Sequence, residues 1–183
     1  MRLPLFAAVA IVATALPLMA ARTPLRVVPD VDLARYAGTW YEIARLPNRF
    51  QAKCAGEVVA AYAPQPDGRV TVTNRCRTTT GETTVATGIA RRVDGQPPSV
   101  LEVRFAPAFL SFLPAVWGDY QIIALGQDYD HAVVGTPDRA YLWVLSRTPR
   151  MDPALYRRLL DQAKGQGFDV AKVTETRQQP PGS

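Results

Sequence analysis

Apolar and polar positions alternate in short bursts along most of this chain. In Leu101-Glu102-Val103-Arg104-Phe105 the odd positions are apolar and the even ones charged, so Leu101, Val103 and Phe105 share one face of a strand. A second run puts Val70, Val72, Asn74 and Cys76 on one face and Arg69, Thr71, Thr73 and Arg75 on the other, and in the run before it Cys54, Val58, Ala60 and Tyr62 share parity. Turn signals separate such runs: Pro64-Gln65-Pro66-Asp67-Gly68, Thr80-Gly81, Asp94-Gly95-Gln96-Pro97-Pro98, Gly126-Gln127-Asp128 and Pro137-Asp138. The pattern predicts eight strands, over 38–47, 56–63, 69–77, 83–92, 99–105, 119–125, 129–135 and 140–147. One helical segment follows, with Asp152 as N-cap, Pro153 at its first position, Leu155, Leu159 and Leu160 at helical spacing, and Gly165 and Gly167 closing it. Strands joined in sequence by tight turns make an antiparallel meander. The expected fold is therefore all-β, an eight-stranded antiparallel up-and-down barrel with one C-terminal α-helix, and eight is a strand number at which a barrel can hold one small ligand.

The N-terminus follows a different pattern. Met1 and Arg2 precede a nearly continuous apolar run over 3–21 that ends in Ala20-Ala21 before Arg22, the order of a secretory signal. The expected organisation is a signal peptide over 1–21, a lead segment over 22–35, the barrel and helix over 36–178, and a tail over 179–183. An uncleaved membrane helix is the alternative, opposed by Pro4 and Pro17. The first cysteine is Cys54, so no lipobox cysteine is expected at the cleavage site, and the protein is placed in the periplasm or in association with the outer membrane. Export favours oxidised thiols. A hairpin turning around Gln65-Pro66 sets Cys54 and Cys76 opposite each other on one face, so a disulfide is expected there, with a catalytic thiol the lesser reading.

Composition removes several kinds of chemistry. The 183 residues include one His and two Cys, too few for a zinc site of the common Cys/His kinds or a Cys-ligated iron–sulfur cluster, and no metal or cofactor is expected. Lys and Arg number 21 against 16 Asp and Glu, a net charge of +5, which falls to +4 once Arg2 is removed; acidic residues lie among the basic ones and no run of five Lys/Arg exists, so no nucleic-acid partner is expected. His131 reads as a hydrogen-bonded strand residue, Asp128 and Asp130 as turn residues, and Asp161 and Lys164 as the solvated face of the helix.

Three motifs carry a family resemblance. Gly38-Thr39-Trp40-Tyr41-Glu42-Ile43-Ala44-Arg45 is similar to the Gly-x-Trp signature of lipocalins. Gln127-Asp128-Tyr129 is similar to their Thr-Asp-Tyr turn, with Gln127 in place of Thr, and Leu142-Trp143-Val144-Leu145-Ser146-Arg147-Thr148-Pro149 to the motif on their last barrel strand. The resemblance covers residues 30–178, and the stretches 38–50 and 137–143 resemble the bacterial branch of Blc type, related to apolipoprotein D. It implies the lipocalin fold and binding of fatty acids or lysophospholipids, for storage or transport in membrane maintenance in the cell envelope. It also implies a stack of Arg147 on Trp40 that plugs the closed end. Counting back from Arg147 points Tyr141 and Trp143 into the cup, and the family's pattern adds Tyr120 and Ile122. Expected to line the ligand site are Phe50 at the mouth, Val58, Ala60 and Val72, then Ala86, and Leu101, Val103 and Phe105; small inward Ala60, Ala86 and Gly88 would leave it volume. Arg45, Arg49 and Phe50 would meet a lipid phosphate and tail.

The connection over 106–117 is apolar and uncharged, and loops of ~12 residues are uncommon in compact domains. Through Phe109, Leu110, Phe112, Leu113 and Trp117 it either touches a membrane or partner subunit, a homodimer included, or folds back as a lid. Two other classes stay open: an enzyme acting on a lipid or isoprenoid through Asn74, Glu42 or Tyr120, and an interaction protein with a filled barrel that dimerises through this loop.

Overall fold

The computed structural model describes residues 23–179; the expected signal peptide and most of the tail lie outside them. Strands β1 (Gly38–Arg45), β2 (Cys54–Pro64), β3 (Val70–Thr78), β4 (Thr83–Arg92), β5 (Val100–Arg104), β6 (Gly118–Leu125), β7 (His131–Gly135) and β8 (Leu142–Ser146) each pair antiparallel with the next, and β1 pairs with both β2 and β8. The sheet thus closes into a barrel, which removes the edges an open meander would expose. Besides four single 3-10 turns, two short elements lie outside the expected set. A one-turn helix, α1 (Leu33–Tyr36), forms inside the lead, where the Asp32 carboxylate accepts from the amides of Ala34 and Arg35. A two-residue strand, β9 (Thr174–Glu175), pairs with Ala44 and Arg45 of β1, beyond the point where β1 stops pairing with β2 at Tyr41.

Meander topology gives the barrel two distinct ends. The connections 46–53, 79–82, 105–117 and 136–141 lie at one end, the mouth; 65–69, 93–99, 126–130 and α1 lie at the other, the floor. Alternation divides the apolar residues between two cores. Trp40, Tyr62, Val72, Ile122, Ala132, Val134 and Leu145 fill the interior, while Ala44, Val133, Leu142 and Val144 pack outward under Leu159 and Ala163 of α2 (Pro153–Lys164) and Phe168. This double burial is why β7 and β8 are apolar almost throughout. A bulge between Glu42 and Ala44 switches β1 from one alternation to the other.

The β2–β3 hairpin departs from the expected register. It turns around Asp67, pairing Ala60 with Asn74 and Tyr62 with Val72, and two bulges in β2 then set Cys54 opposite Thr78 instead of Cys76. The cysteines still approach to 5.6 Å between Cα atoms and form the disulfide. Closing a loop of this length contributes ~3 kcal/mol in the chain-entropy view. The bulge also receives the C-terminal segment: the Glu57 amide donates to Arg177 O at 2.8 Å, and a Cβ on Gly56 would lie 2.6 Å from that oxygen. Gln178 closes the seam by donating to the carbonyls of Glu42 and Val58. Among the described residues no helix is long and apolar enough to cross a membrane, and no three His, Cys, Asp or Glu side chains cluster to hold a metal.

Candidate ligand-binding site

The floor is sealed by one arginine. Arg147 donates from Nε to Tyr129 O (3.0 Å), from Nη1 to Thr39 O (2.9 Å), and from Nη2 to Arg35 O (2.9 Å) and Tyr36 O (3.2 Å). Its guanidinium also lies 3.9 Å from the Trp40 ring centroid. A planar fork of donors can tie α1, β1 and the β6–β7 turn together in this way, where a lysine could not. The Trp40 indole in turn donates to Tyr36 O at 2.8 Å.

Above this plug three phenols meet inside the barrel. The Tyr120 hydroxyl lies 2.8 Å from those of both Tyr36 and Tyr62. Burial pushes all three above the usual phenol range: Tyr62 to about 12, Tyr36 and Tyr120 well above 10, with neighbouring phenols adding to the rise at the latter two. All three are therefore neutral O–H groups at physiological pH. A cavity of about 10 Å³ is lined by these three rings and by Leu33, Val70, Ala90, Leu101 and Val103. That is room for one water-sized group.

The lower barrel is thus more filled than the small residues suggested. Val72 and Ile122 are packed in the interior core, with Leu101 buried beside the small cavity. Gly88 leaves no free volume, because the Phe105 ring occupies it, with Cδ1 2.8 Å from where a Cβ would stand. The open part of the cup is its upper half. Ala60, Asn74 and Ala86 stand in one row across β2, β3 and β4, and Ala86, on the same face as Gly88, is nevertheless exposed. The Asn74 side chain has no partner among the described residues. Phe105 is 46% exposed, and Val58 is buried at the β2 bulge.

Aromatic rings climb the opposite wall to the rim. Trp143 stacks on Tyr141 with centroids 5.8 Å apart and planes at 7°, and Tyr141 meets Phe50 at 5.5 Å. The Trp143 indole donates to Gln51 Oε1 at 2.9 Å, and Gln51 donates to Glu42 Oε2 at 2.5 Å. The Glu42 carboxylate, 2% exposed, also accepts from Arg45 Nη1 at 2.6 Å and Thr176 Oγ1 at 2.5 Å. A buried carboxylate needs such partners. Arg45 is consequently engaged inside the wall and is not free for a phosphate, whereas exposed Arg49 and Lys53 make no ion pair among the described residues. His131 Nδ1 lies 2.8 Å from Asp130 Oδ1.

The apolar loop is split in role. Phe109 and Phe112 are 74% and 75% exposed and Leu113 is partly so, but Leu110 is half-buried and Trp117 is folded onto the outer wall. The Trp117 ring is held by the guanidiniums of Arg91 at 3.8 Å and Arg104 at 5.2 Å, and its indole donates to Ser111 O. Trp117 anchors the loop and is not part of its exposed face. Tyr36, Gln51 and Thr176 are site residues that the alternation alone did not single out, and Tyr62, which it set on one face with Ala60, was not among the expected lining; the Asp32 cap before Leu33 was the available signal for Tyr36.

Comparison with known proteins places this geometry. The Lipocalin-like domain family matches residues 31–178. Temperature-induced lipocalin-1 of Arabidopsis thaliana is 38% identical over 169 residues, covering 90% of each chain. Outer membrane lipoprotein Blc of Escherichia coli (strain K12) is 37% identical over 157 residues, 86% of this chain and 84% of that one. Among solved structures, apocrustacyanin C1 superposes with a TM-score of 0.66 at 15% identity, over 82% of this chain and 81% of the other, a likeness of fold.

Proposed function

The chain belongs to the lipocalin family, whose members bind small hydrophobic molecules, and from that premise we propose that it carries fatty acids or lysophospholipids in the cell envelope, as an exported protein serving membrane maintenance. The observation that supports this most is the mouth: a continuous Trp143, Tyr141 and Phe50 stack leads from the cup to a rim where Arg49 and Lys53 stand unpaired. An acyl chain lies against the rings, burying about 0.8 kcal/mol per methylene. An anionic head group stays at the rim, near the free cations. Phe109, Phe112 and Leu113 on the same rim touch the membrane from which the lipid is drawn.

Titration with hexadecanoate and with a lysophosphatidylglycerol, followed through Trp143 fluorescence, tests the reading. Saturable binding is expected, with Arg49→Glu weakening the anionic lysolipid about tenfold and neutral lysophosphatidylcholine little. No saturable binding of any of these lipids overturns it.

A further inference from the structure

The three phenols above the floor hold one proton more than the contacts between them can use. Tyr120 contacts Tyr36 and Tyr62, and no other protein hydrogen bond reaches any of the three hydroxyls among the described residues. Three O–H protons are shared over two contacts, so whichever way each bond runs, one proton lacks an acceptor. Tyr36 is 2% and Tyr62 9% exposed and Tyr120 is partly buried, so little bulk water is at hand to supply it. A buried donor left unpaired costs roughly 1–3 kcal/mol, and native interiors rarely keep one. The same three rings, with Leu101 and Val103, line the water-sized cavity at the bottom of the barrel.

We infer that this floor is a second subsite, a hydrogen-bond donor for one neutral oxygen, a hydroxyl or carbonyl, on the leading end of the lipid that enters the cup. The inference rests on the carrier reading and adds a tolerance for chains oxygenated at the buried end. Neutrality follows from the surroundings. The guanidinium nearest the floor, Arg147, is committed to four backbone carbonyls and the Trp40 ring. An ionised carboxylate there would exchange its hydration for one donor, whereas a carbonyl needs only that donor, and a hydroxyl accepts it while giving its own proton to the free lone pair of a second phenol oxygen. The route down passes Phe105, whose half-exposed ring lies over Gly88, so entry of a chain requires that ring to turn aside.

The test compares dodecanoate with ω-hydroxydodecanoate, and hexadecanoate with ω-hydroxyhexadecanoate, on the wild-type protein and on the triple variant Tyr36→Phe, Tyr62→Phe, Tyr120→Phe. All three substitutions are needed, because removing Tyr36 alone leaves two protons over one contact and removing Tyr120 alone leaves two over none. At one chain length at least, the hydroxy-to-plain Kd ratio is expected to stay below about threefold in the wild type and to rise to about tenfold in the triple variant. Equal hydroxy-to-plain ratios in the two proteins at both lengths overturn the inference and leave the carrier reading intact. Absence of binding by every acid to the wild type overturns both. Should the triple variant not fold, an acceptor-only chain, 11-oxododecanoate, decides on the wild type: it is expected to match ω-hydroxydodecanoate, and a loss of about tenfold overturns a donor floor.

Discussion

Floor and mouth use the same residue types to opposite ends. At the floor Arg147 lies 3.9 Å over Trp40, which is wholly buried, and four of its five N–H donors go to backbone carbonyls. At the mouth Arg49 lies 5.0 Å over Phe50, which is 66% exposed, and the arginine makes no ion pair among the described residues. An arginine on an aromatic ring is therefore not in itself a sign of structure or of binding. Saturation is the discriminating quantity: where every donor has a partner and every ring is covered, the cluster holds shape, and where donors and rings are left over, it is available to something else. Trp117 shows that the two types can be neighbours, since it is covered by Arg91 and Arg104 at the base of a loop whose tip carries bare Phe109 and Phe112.

The sharpest way to break this comparison is to remove the two arginines in turn. Arg147→Met keeps the apolar stem but takes the guanidinium donors from the carbonyls of Arg35, Thr39 and Tyr129, leaves Tyr36 O only the Trp40 indole, and removes the cation–π contact, a loss on the order of 3–5 kcal/mol. Arg49→Met should change stability by less than about 0.5 kcal/mol. Urea denaturation of both variants at neutral pH gives the two numbers, and equal losses would erase the distinction between the ends.

Alkali separates the ends by a second route. The phenols of Tyr36, Tyr62 and Tyr120 are raised by burial in the folded state, whereas in the unfolded chain they titrate near 10. Groups raised in this way stabilise the fold fully below pH 10, and that stability is lost as the pH climbs through the folded values. Each contributes roughly 1.4 kcal/mol per pH unit above 10, so Tyr62, raised to about 12, accounts for roughly 3 kcal/mol between pH 10 and 12. Urea midpoints measured at pH 9 and 11 should fall steeply in the wild type and much less in the variant with all three phenols replaced by Phe. A parallel fall in both would assign the alkaline loss to other groups.

The strands and the disulfide were legible because they rest on local signals: alternation, turn residues and two cysteines brought together in one hairpin. What escaped depends on partners remote in sequence. Tyr36 lies in a one-turn helix too short for any periodicity, and its hydroxyl partner Tyr120 is 84 residues away. The β2 bulges, which offset a turn centred on Asp67, leave no trace in the alternation. The Glu42 network exists because β1 bulges after it and because Thr176 returns from the C-terminus into the gap between β1 and β2. Strand parity placed Gly88 on the inner face, yet it could not reveal that Phe105 fills the space beside it. The apolar loop was legible as a loop, but its division into an anchored Trp117 and an exposed tip depends on two guanidiniums supplied by β4 and β5.

The smallest expected effect on the fold belongs to that tip, and for this reason it is the most telling. Phe109→Ser with Phe112→Ser removes two rings that cover nothing, so stability should stay within about 0.5 kcal/mol of wild type. Their loss should nevertheless weaken flotation with phosphatidylglycerol-containing vesicles at least about tenfold, since each ring is worth on the order of 1.5–3 kcal/mol when it leaves water. Trp117→Ser is the counterpart: it releases the loop from the wall and should lower stability by roughly 1–2 kcal/mol, because a ring held by two guanidiniums and an indole hydrogen bond is lost. If the double variant instead keeps its vesicle binding while sedimentation shows a dimer falling to monomer, the bare rings serve a second copy of the chain and not a membrane. In either outcome the rings at the tip act on something outside the fold, in contrast to the buried Trp40 under Arg147.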